Sequence, residues 1–559
     1  MPDAPASDSS RSLERPAYGA LWAFLLAPVM AQGLWRPLLH FGGAGGRASA
    51  MAITIAALGV CGAIVIARQI RPGPRSLAPW ALGGLFAVGA TLVAGLGLSG
   101  LLCLLAVAAS LSFLLHRLSP GLPGALDGLA RRHKVLFALY AAGALLSIVK
   151  TAQLSVFMGD ATRPDLQVLP GVKFIETHSC LSAYVQADRL ARERVENLYD
   201  PAGWLGSHGQ PPRPAGAEDP YRPFVLDYYA YPPPFLLAMA PLAIFAGDFA
   251  AQRALWFGVN GLLLAVGLWL VARWLDGPGV HRVLLLAPLF FASLPILAVL
   301  QVGNFQTAVV VLAVLAMVAF HRERNALGGA LLAFVVLSKL SPALLGLVLL
   351  AQRRYRAVAW TAGFGVFFVA LSVLSLGVNP LKFFLTYTLP RLGSGATFSF
   401  MDADRFSILT NMAPFGLPFK LQLLGVPISD PWRVGRLIGR VYSAILVLLT
   451  LVAVRRVGDR RSQAIVWMSL LVLGALQSPF APGYVQVGLL WATTLLAVEV
   501  RSLRAALGLV LLWIVINLLP PASSPNLMAI DSLLQSLLSV GVPVGLILRS
   551  VRRENATTA

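Results

Sequence analysis

Long apolar stretches broken by short polar segments recur from Tyr18 to Leu548. A helix that crosses a bilayer needs about 20 mostly apolar residues, and by that measure roughly 13 to 16 spans are predicted. Basic residues collect at the breaks: Arg68/Arg71/Arg75, Arg131/Arg132/Lys134, Arg322/Arg324, Arg353/Arg354/Arg356, Arg455/Arg456/Arg460/Arg461 and Arg552/Arg553. Loops rich in Lys and Arg stay on the cytoplasmic side. That rule predicts spans near 19–36, 48–67, 77–97, 99–116 and 134–157, which leaves the loop from residue 158 to 232 outside. Counting back from the basic C-terminus gives spans near 526–548, 502–520, 484–499, 463–478 and 435–454, so residues 378–434 are expected on the same exoplasmic face.

Three places depart from simple spans. Pro233 to Gly247 is short for a crossing and is expected to enter the membrane and return. Ala326 to Gln352 begins and ends beside arginines, which predicts two half-helices broken at Ser338-Lys339-Leu340-Ser341-Pro342, since proline interrupts a helix. Gln301-Val-Gly-Asn-Phe-Gln306 is expected to form a hairpin between two spans, its turn facing outward. Irregular backbone at membrane depth persists only against protein or a wet cavity, so these breaks point to a site.

Composition agrees with a chain that lives in lipid: 57% of residues are hydrophobic and 12% charged, where soluble domains run near a quarter charged. The net charge of +20 follows from the basic loops. No basic run is long or interleaved with stacking aromatics, which excludes a nucleic-acid partner. The N-terminus lacks the positive start and short apolar run of a cleaved signal peptide, so Tyr18–Trp35 reads as a retained span. Cys61, Cys103 and Cys180 offer no evident disulfide. The seven histidines are scattered without metal-ligand spacing, and no metal site is expected. Neither a phosphate-cradling loop with its lysine nor a GxSxG elbow occurs, which disfavours nucleotide hydrolysis and ordinary serine esterase chemistry.

The loop from Met158 to Pro232 holds 10 of the chain's 24 acidic residues. It also carries arginines, among them Arg163, so an anionic substrate can be held beside a general base. Ser182–Ala191 reads as a helix followed by a turn at Asn197–Pro201, and Tyr228-Tyr229-Ala-Tyr231-Pro-Pro-Pro-Phe235 as a stiff aromatic entry to the membrane. Lys339 inside an apolar stretch is a functional candidate by default. The expected topology lets the loop acids, the hairpin amides Gln301, Asn304 and Gln306, and Lys339 converge on one outward cavity.

The order of these features resembles glycosyltransferase family 87, the polyprenol-phosphate-mannose-dependent mannosyltransferases of GT-C fold, over about residues 135–380. Carrying the likeness are Leu181-Ser-Ala-Tyr184, Asn197-Leu-Tyr-Asp200, Tyr231-Pro-Pro-Pro-Phe235, Ala240-Pro-Leu242, Leu255-Trp256 with Asn260, Gly303-Asn-Phe-Gln306, Gly328-Gly329, and Lys339 with Pro342. Where the family carries an aspartate four residues before the first-loop tyrosine, this chain has Cys180, and the amides of the hairpin exchange order.

The resemblance implies an all-α polytopic membrane protein with a GT-C-like bundle. Residues 1–133 would be additional N-terminal helices and 134–380 the catalytic core. A second exoplasmic loop would occupy 381–434, and C-terminal helices 435–559. It implies inverting transfer of a hexose, mannose in the family, from polyprenyl phosphate to a lipid or glycan acceptor at the outer face of a bacterial plasma membrane, with no cofactor. Asp160 and His178 are then the favoured bases, with Asp165 and Glu176 as alternatives. Lys339, Arg163 and Arg405 would contact phosphate, while Tyr184, Tyr231, Gln301, Asn304 and Gln306 would hold substrate. Two other readings stand beside it: a transporter or flippase, which should show internal pseudo-symmetry and polar residues near the midplane, and a catalytically inactive relative.

Overall fold

A computed structural model describes residues 134–170, 172–207, 219–275, 286–287, 289–402, 404–454, 459–497, 500, 502–517 and 524–558, together with parts of a helix between 25 and 40. The expected spans from 48 to 116 lie outside the described residues. So do His208, Arg213 and Glu218 of the outer loop.

The described residues are helical and form no β-sheet; β-pairing is confined to isolated bridges, His178 with Val225 and Asn411 with Pro482. The main helices are α1 (Lys134–Gly159), α2 (Cys180–Arg192), α3 (Phe249–Leu275), α4 (Leu294–Val302), α5 (Gln306–His321), α6 (Asn325–Ser338), α7 (Ala343–Ala351), α8 (Tyr355–Leu376), α9 (Pro431–Val454), α10 (Arg460–Ala475), α11 (Val487–Ala497), α12 (Leu503–Asn517) and α13 (Pro525–Thr558). Among the described residues, five helices are long and apolar enough to cross a membrane, within α1, α3, α8, α9 and α13, or six if the bent pair α4 and α5 counts as one. The protein is an all-α polytopic membrane protein.

Chain contacts divide the molecule into two compact units: residues 1–176, 245–266 and 277–293, and residues 177–244, 267–276 and 294–559. In the first unit, Arg36 grips Asp248 with two hydrogen bonds of 3.0 Å. The buried Arg253 donates to the Phe157 carbonyl at 2.8 Å and lies over the Phe157 ring. Gly33 and Gly258 approach so closely that a Cβ on either would meet the other's Cα within 2.8 Å.

The second unit contains the three irregular segments. Pro233–Met239 and Leu242–Phe245 fold as two short 3-10 helices, the second running one residue into the first unit, in place of a span. α6 ends at Ser338, Lys339 is extended (φ −144°, ψ 124°), and α7 begins at Ala343, as the proline predicts. At Gly303 the chain turns where the hairpin is expected, at an angle the sequence does not give. α4 is only nine residues long and meets α5 at a bend of 109°. Gly303 has φ +70° and the Asn304 amide bonds back to the Val299 carbonyl at 3.2 Å. A left-handed residue after the last helical turn, closed by such a bond, is a helix stop that glycine adopts without strain.

Around these breaks the helices pack on apolar stripes and small residues. α6 lies between α5 and α8: a Cβ at Gly328 would meet the Phe320 ring at 2.6 Å, and one at Gly329 the Trp360 backbone at 2.7 Å. Only 11% of the apolar window of α8 is covered by protein. Val366, Phe367 and Leu374 stand exposed on it, as apolar side chains on a membrane-spanning helix can.

Replacing Gly329 with Leu forces α6 and α8 apart and is expected to cost about 1–3 kcal/mol. Gly346→Ala, at a helical position where nothing lies within 4 Å of an added Cβ, should be neutral or slightly stabilising. Thermal unfolding in detergent followed by tryptophan fluorescence checks both; equal melting points for the two variants would refute the packing argument.

Candidate active site

The outer loop is a folded object built on α2. Ten of the 13 residues of α2 are buried. Beyond its end Asn197 closes an Asx turn on the Tyr199 amide at 3.0 Å, and Asp200 caps the short helix Pro201–Trp204 by accepting from Ala202 at 2.9 Å. The tyrosines that follow close the loop on itself. Tyr228 donates to the Tyr199 carbonyl at 2.8 Å, Tyr199 to the Tyr231 carbonyl at 2.9 Å, and Tyr221 to Gln186 at 2.8 Å. Buried phenols need such partners, and here each bond ties one stretch of loop to another.

The first turn of α2 gathers the acidic side of the site. Ser182 donates to the Ser179 carbonyl at 2.7 Å and accepts from the Asp227 amide at 3.0 Å, while the Val225 amide donates to the Thr177 carbonyl at 2.7 Å. Those bonds lay residues 225–227 beside the residues that lead into α2. His178 Nε2 consequently lies 3.4 Å from Cys180 Sγ and 3.8 Å from Asp227 Oδ2. One ligand-capable atom from each of the three residues falls within 4.8 Å of the others. Burial, reinforced by Asp227, pushes the Cys180 thiol well up from its usual value. Burial likewise raises the phenols of Tyr184 and Tyr231, which act as neutral hydrogen-bonding groups.

The basic side comes from the two helix breaks. Lys339 Nζ donates to Asn304 Oδ1 at 2.8 Å and to Gln306 Oε1 at 3.0 Å, and lies 5.5 Å from the Tyr231 ring centre and 5.6 Å from that of Tyr484. Among the described residues no carboxylate is within ion-pair distance of it. An ammonium has three donors; two are used here, so a third remains for a ligand.

Asn304 joins the two sides. Its carbonyl oxygen also accepts from the Gln306 amide at 3.0 Å, and its amide nitrogen donates to Cys180 Sγ at 3.3 Å and to the Tyr484 hydroxyl at 3.1 Å. Tyr184 completes the wall by accepting from the Phe305 amide at 3.3 Å and lying 3.5 Å from the Tyr231 hydroxyl.

Of the residues predicted from sequence, the structure brings His178, Tyr184, Tyr231, Asn304, Gln306 and Lys339 into this constellation. Gln301 is fully buried on the last turn of α4. Arg405 is exposed at the start of the short helix Arg405–Thr410 and makes no hydrogen bond or ion pair to Lys339, Asn304 or Gln306. Asp160, Asp165, Arg163 and Glu176 belong to the first unit. There Asp160 accepts from the amide and hydroxyl of Thr162, Arg163 pairs with Asp165 at 3.4 Å, and Glu176 accepts from Gln167 at 2.9 Å.

Three members were not singled out as site residues from sequence: Cys180, Asp227 and Tyr484. Asp227 stands directly before the tyrosine run, a signal available in the sequence. Tyr484 had none, because it is delivered by a tertiary contact in which Asn411 holds the turn at residues 479–481, accepting from the Ala481 amide and donating to the Pro479 carbonyl, both at 2.9 Å. The trio His178, Cys180 and Asp227 also shows ligand-type atoms meeting where chain spacing gave no hint of a metal site.

The result is an apolar helical protein of the membrane with a buried polar centre between two broken helices. The model of glycosyltransferase family 87 matches residues 229–479, which supports membership of that family. The chain is a membrane glycosyltransferase, with a donor and an acceptor as its substrates. No curated protein and no solved structure matches the chain. The matched segment holds Tyr231, Asn304, Gln306 and Lys339, whereas His178, Cys180 and Asp227 precede it and Tyr484 follows it.

Asn304→Ala strips Lys339 and the Tyr484 hydroxyl of a partner at once and is expected to lower stability by about 1–3 kcal/mol. Tyr484→Phe, which removes one bond of the four, should cost about 1 kcal/mol or less. Chemical unfolding of the purified variants measures both, and an Asn304→Ala protein as stable as the wild type would show that the hub is not holding the site together.

Proposed function

We propose that this glycosyltransferase moves a hexose, mannose by its family likeness, from a polyprenyl-phosphate donor to a hydroxyl of a lipid or glycan acceptor, at the exoplasmic face of a bacterial plasma membrane. The single observation that carries the reading is Lys339: a half-buried ammonium, fixed by two amide oxygens and walled by two tyrosine rings, with no carboxylate to neutralise it among the described residues. Such a cation suits the phosphate of a leaving group, whose charge grows as the glycosidic bond breaks, and a donor preorganised for that charge lowers the barrier. The positive-inside distribution of arginines supports the outward orientation.

Proton removal falls to the other side of the same centre. His178, with its Nε2 3.8 Å from an Asp227 carboxylate oxygen, occupies the region where the family carries its aspartate, and the two together are the general base of this reading. The acceptor oxygen would attack the anomeric carbon as its proton passes to this pair, while the carbon–oxygen bond to the lipid phosphate breaks with its electron pair retained by the phosphate facing Lys339. Tyr184, Tyr231 and Gln306 would orient sugar hydroxyls. Asp160 is the alternative base.

Transfer assays with polyprenyl-phosphate mannose, scored by release of polyprenyl phosphate, test these roles. His178→Ala and Asp227→Asn should each lower turnover about 10²- to 10⁴-fold, with Asp160→Asn near wild type; the reverse pattern would move the base to Asp160. Asn304→Asp places a carboxylate on Lys339, so it should keep the fold yet lower turnover roughly 10²-fold or more. Wild-type protein that moves a lipid-linked sugar across vesicles without releasing lipid phosphate would establish the transporter reading instead.

A further inference from the structure

The three side chains at the start of α2 differ from an ordinary base pair in one respect. A thiol has been placed against an imidazole and a carboxylate, and a fixed amide N–H points at its sulfur. For tetrahedral zinc, bonds of about 2.3 Å to sulfur and about 2.05 Å to nitrogen set the sulfur–nitrogen separation near 3.5 Å and the nitrogen–oxygen separation near 3.4 Å. Here they are 3.4 Å and 3.8 Å, with the three atoms all inside 4.8 Å. The third edge, sulfur to carboxylate oxygen, lies within 4.8 Å against about 3.5 Å in tetrahedral zinc, so rotation of the Asp227 carboxylate, moving its oxygen by about 1 Å, makes the set a first coordination shell.

We propose that His178 Nε2, Cys180 Sγ and Asp227 Oδ2 bind a divalent transition metal, zinc by preference, with one position left open. Thiolate and imidazole together favour zinc over magnesium or calcium, which take oxygen ligands. Asn304 serves as an outer-shell partner, because its amide N–H donates to the sulfur at 3.3 Å while its carbonyl faces the Lys339 ammonium. Hydrogen bonds of that kind fix ligand orientation, and the oriented amide stands between the metal's charge and that of the lysine.

The catalytic role of the metal rests on the transferase reading above. A hydroxyl in the open position is acidified as zinc-bound water is: its proton leaves to solvent, and the metal-held oxygen forms the bond to the anomeric carbon as the carbon–phosphate oxygen bond breaks toward the lipid phosphate. The metal then does what the bare imidazole would otherwise do, and the three residues remain where the family has one aspartate.

Full-length protein purified without a histidine tag, stripped with a chelator and titrated with cobalt(II), tests this. One cobalt per chain should bind with a thiolate-to-cobalt charge-transfer band, and zinc should bleach it. The band should vanish in Cys180→Ser and survive in a Cys61→Ser/Cys103→Ser double variant. Asp227→Asn, which keeps the thiol and the side-chain shape, should weaken cobalt retention at least tenfold. No band at saturating cobalt, substoichiometric binding, or a band that persists in Cys180→Ser overturns the site. Chelation should lower transfer at least tenfold and zinc restore it. Transfer without any band leaves His178 and Asp227 as a bare base pair and refutes only the metal, whereas a full band in a protein that releases no lipid phosphate upholds the metal and refutes the transferase.

Discussion

Everything chemical in this molecule turns on the saturation of one side chain. Asn304 uses both lone pairs and both N–H groups, and each of the four bonds reaches a different part of the chain: the broken end of α6, the start of α5, the first turn of α2 and the turn before α11. A buried amide pays for a missing partner with the full desolvation of the group left behind. Those elements are therefore constrained jointly, and the spacing of lysine, thiol and tyrosine around the centre is one geometry. The helix stop at Gly303 makes it possible, since a continuous helix would carry the amide past the loop instead of into it.

The outer loop solves a different problem. Its buried side chains include Leu181, Leu190, Leu198 and Leu226, and aromatic rings complete that core. Tyr199, Trp204, Tyr229 and Phe235 are each almost fully buried and stack or meet edge to face, and the phenol bonds close the ring of contacts. The tyrosines thus belong as much to the loop's folding as to its chemistry, with Tyr231 serving both through its carbonyl and its ring face.

Much of this was legible in the sequence because bilayer helices and their interruptions are written in hydropathy. The break at Ser338–Pro342 and the short apolar segment after Tyr231 follow from proline and length alone, and an ionisable residue in an apolar stretch drew attention to Lys339. The family resemblance rests on the same motifs, and its matched residues hold the basic half of the centre. What the sequence left open are partnerships formed by tertiary contact. Asp227 reaches His178 through bonds between backbone and Ser182, and Tyr484 arrives on a turn held by Asn411 some seventy positions earlier; neither has a periodic or motif signature. At Gly303 the polar residues mark the turn between α4 and α5 but not its angle of 109°.

The glycine-tight seam between α6 and α8 has a wider consequence. Lys339 directly follows a helix whose flank is locked to Trp360, and only 11% of the apolar window of α8 is covered by protein. A displacement of α8 along that seam is therefore transmitted to the end of α6 and to the ammonium beside it, which ties the position of the cation to an element with little protein around it.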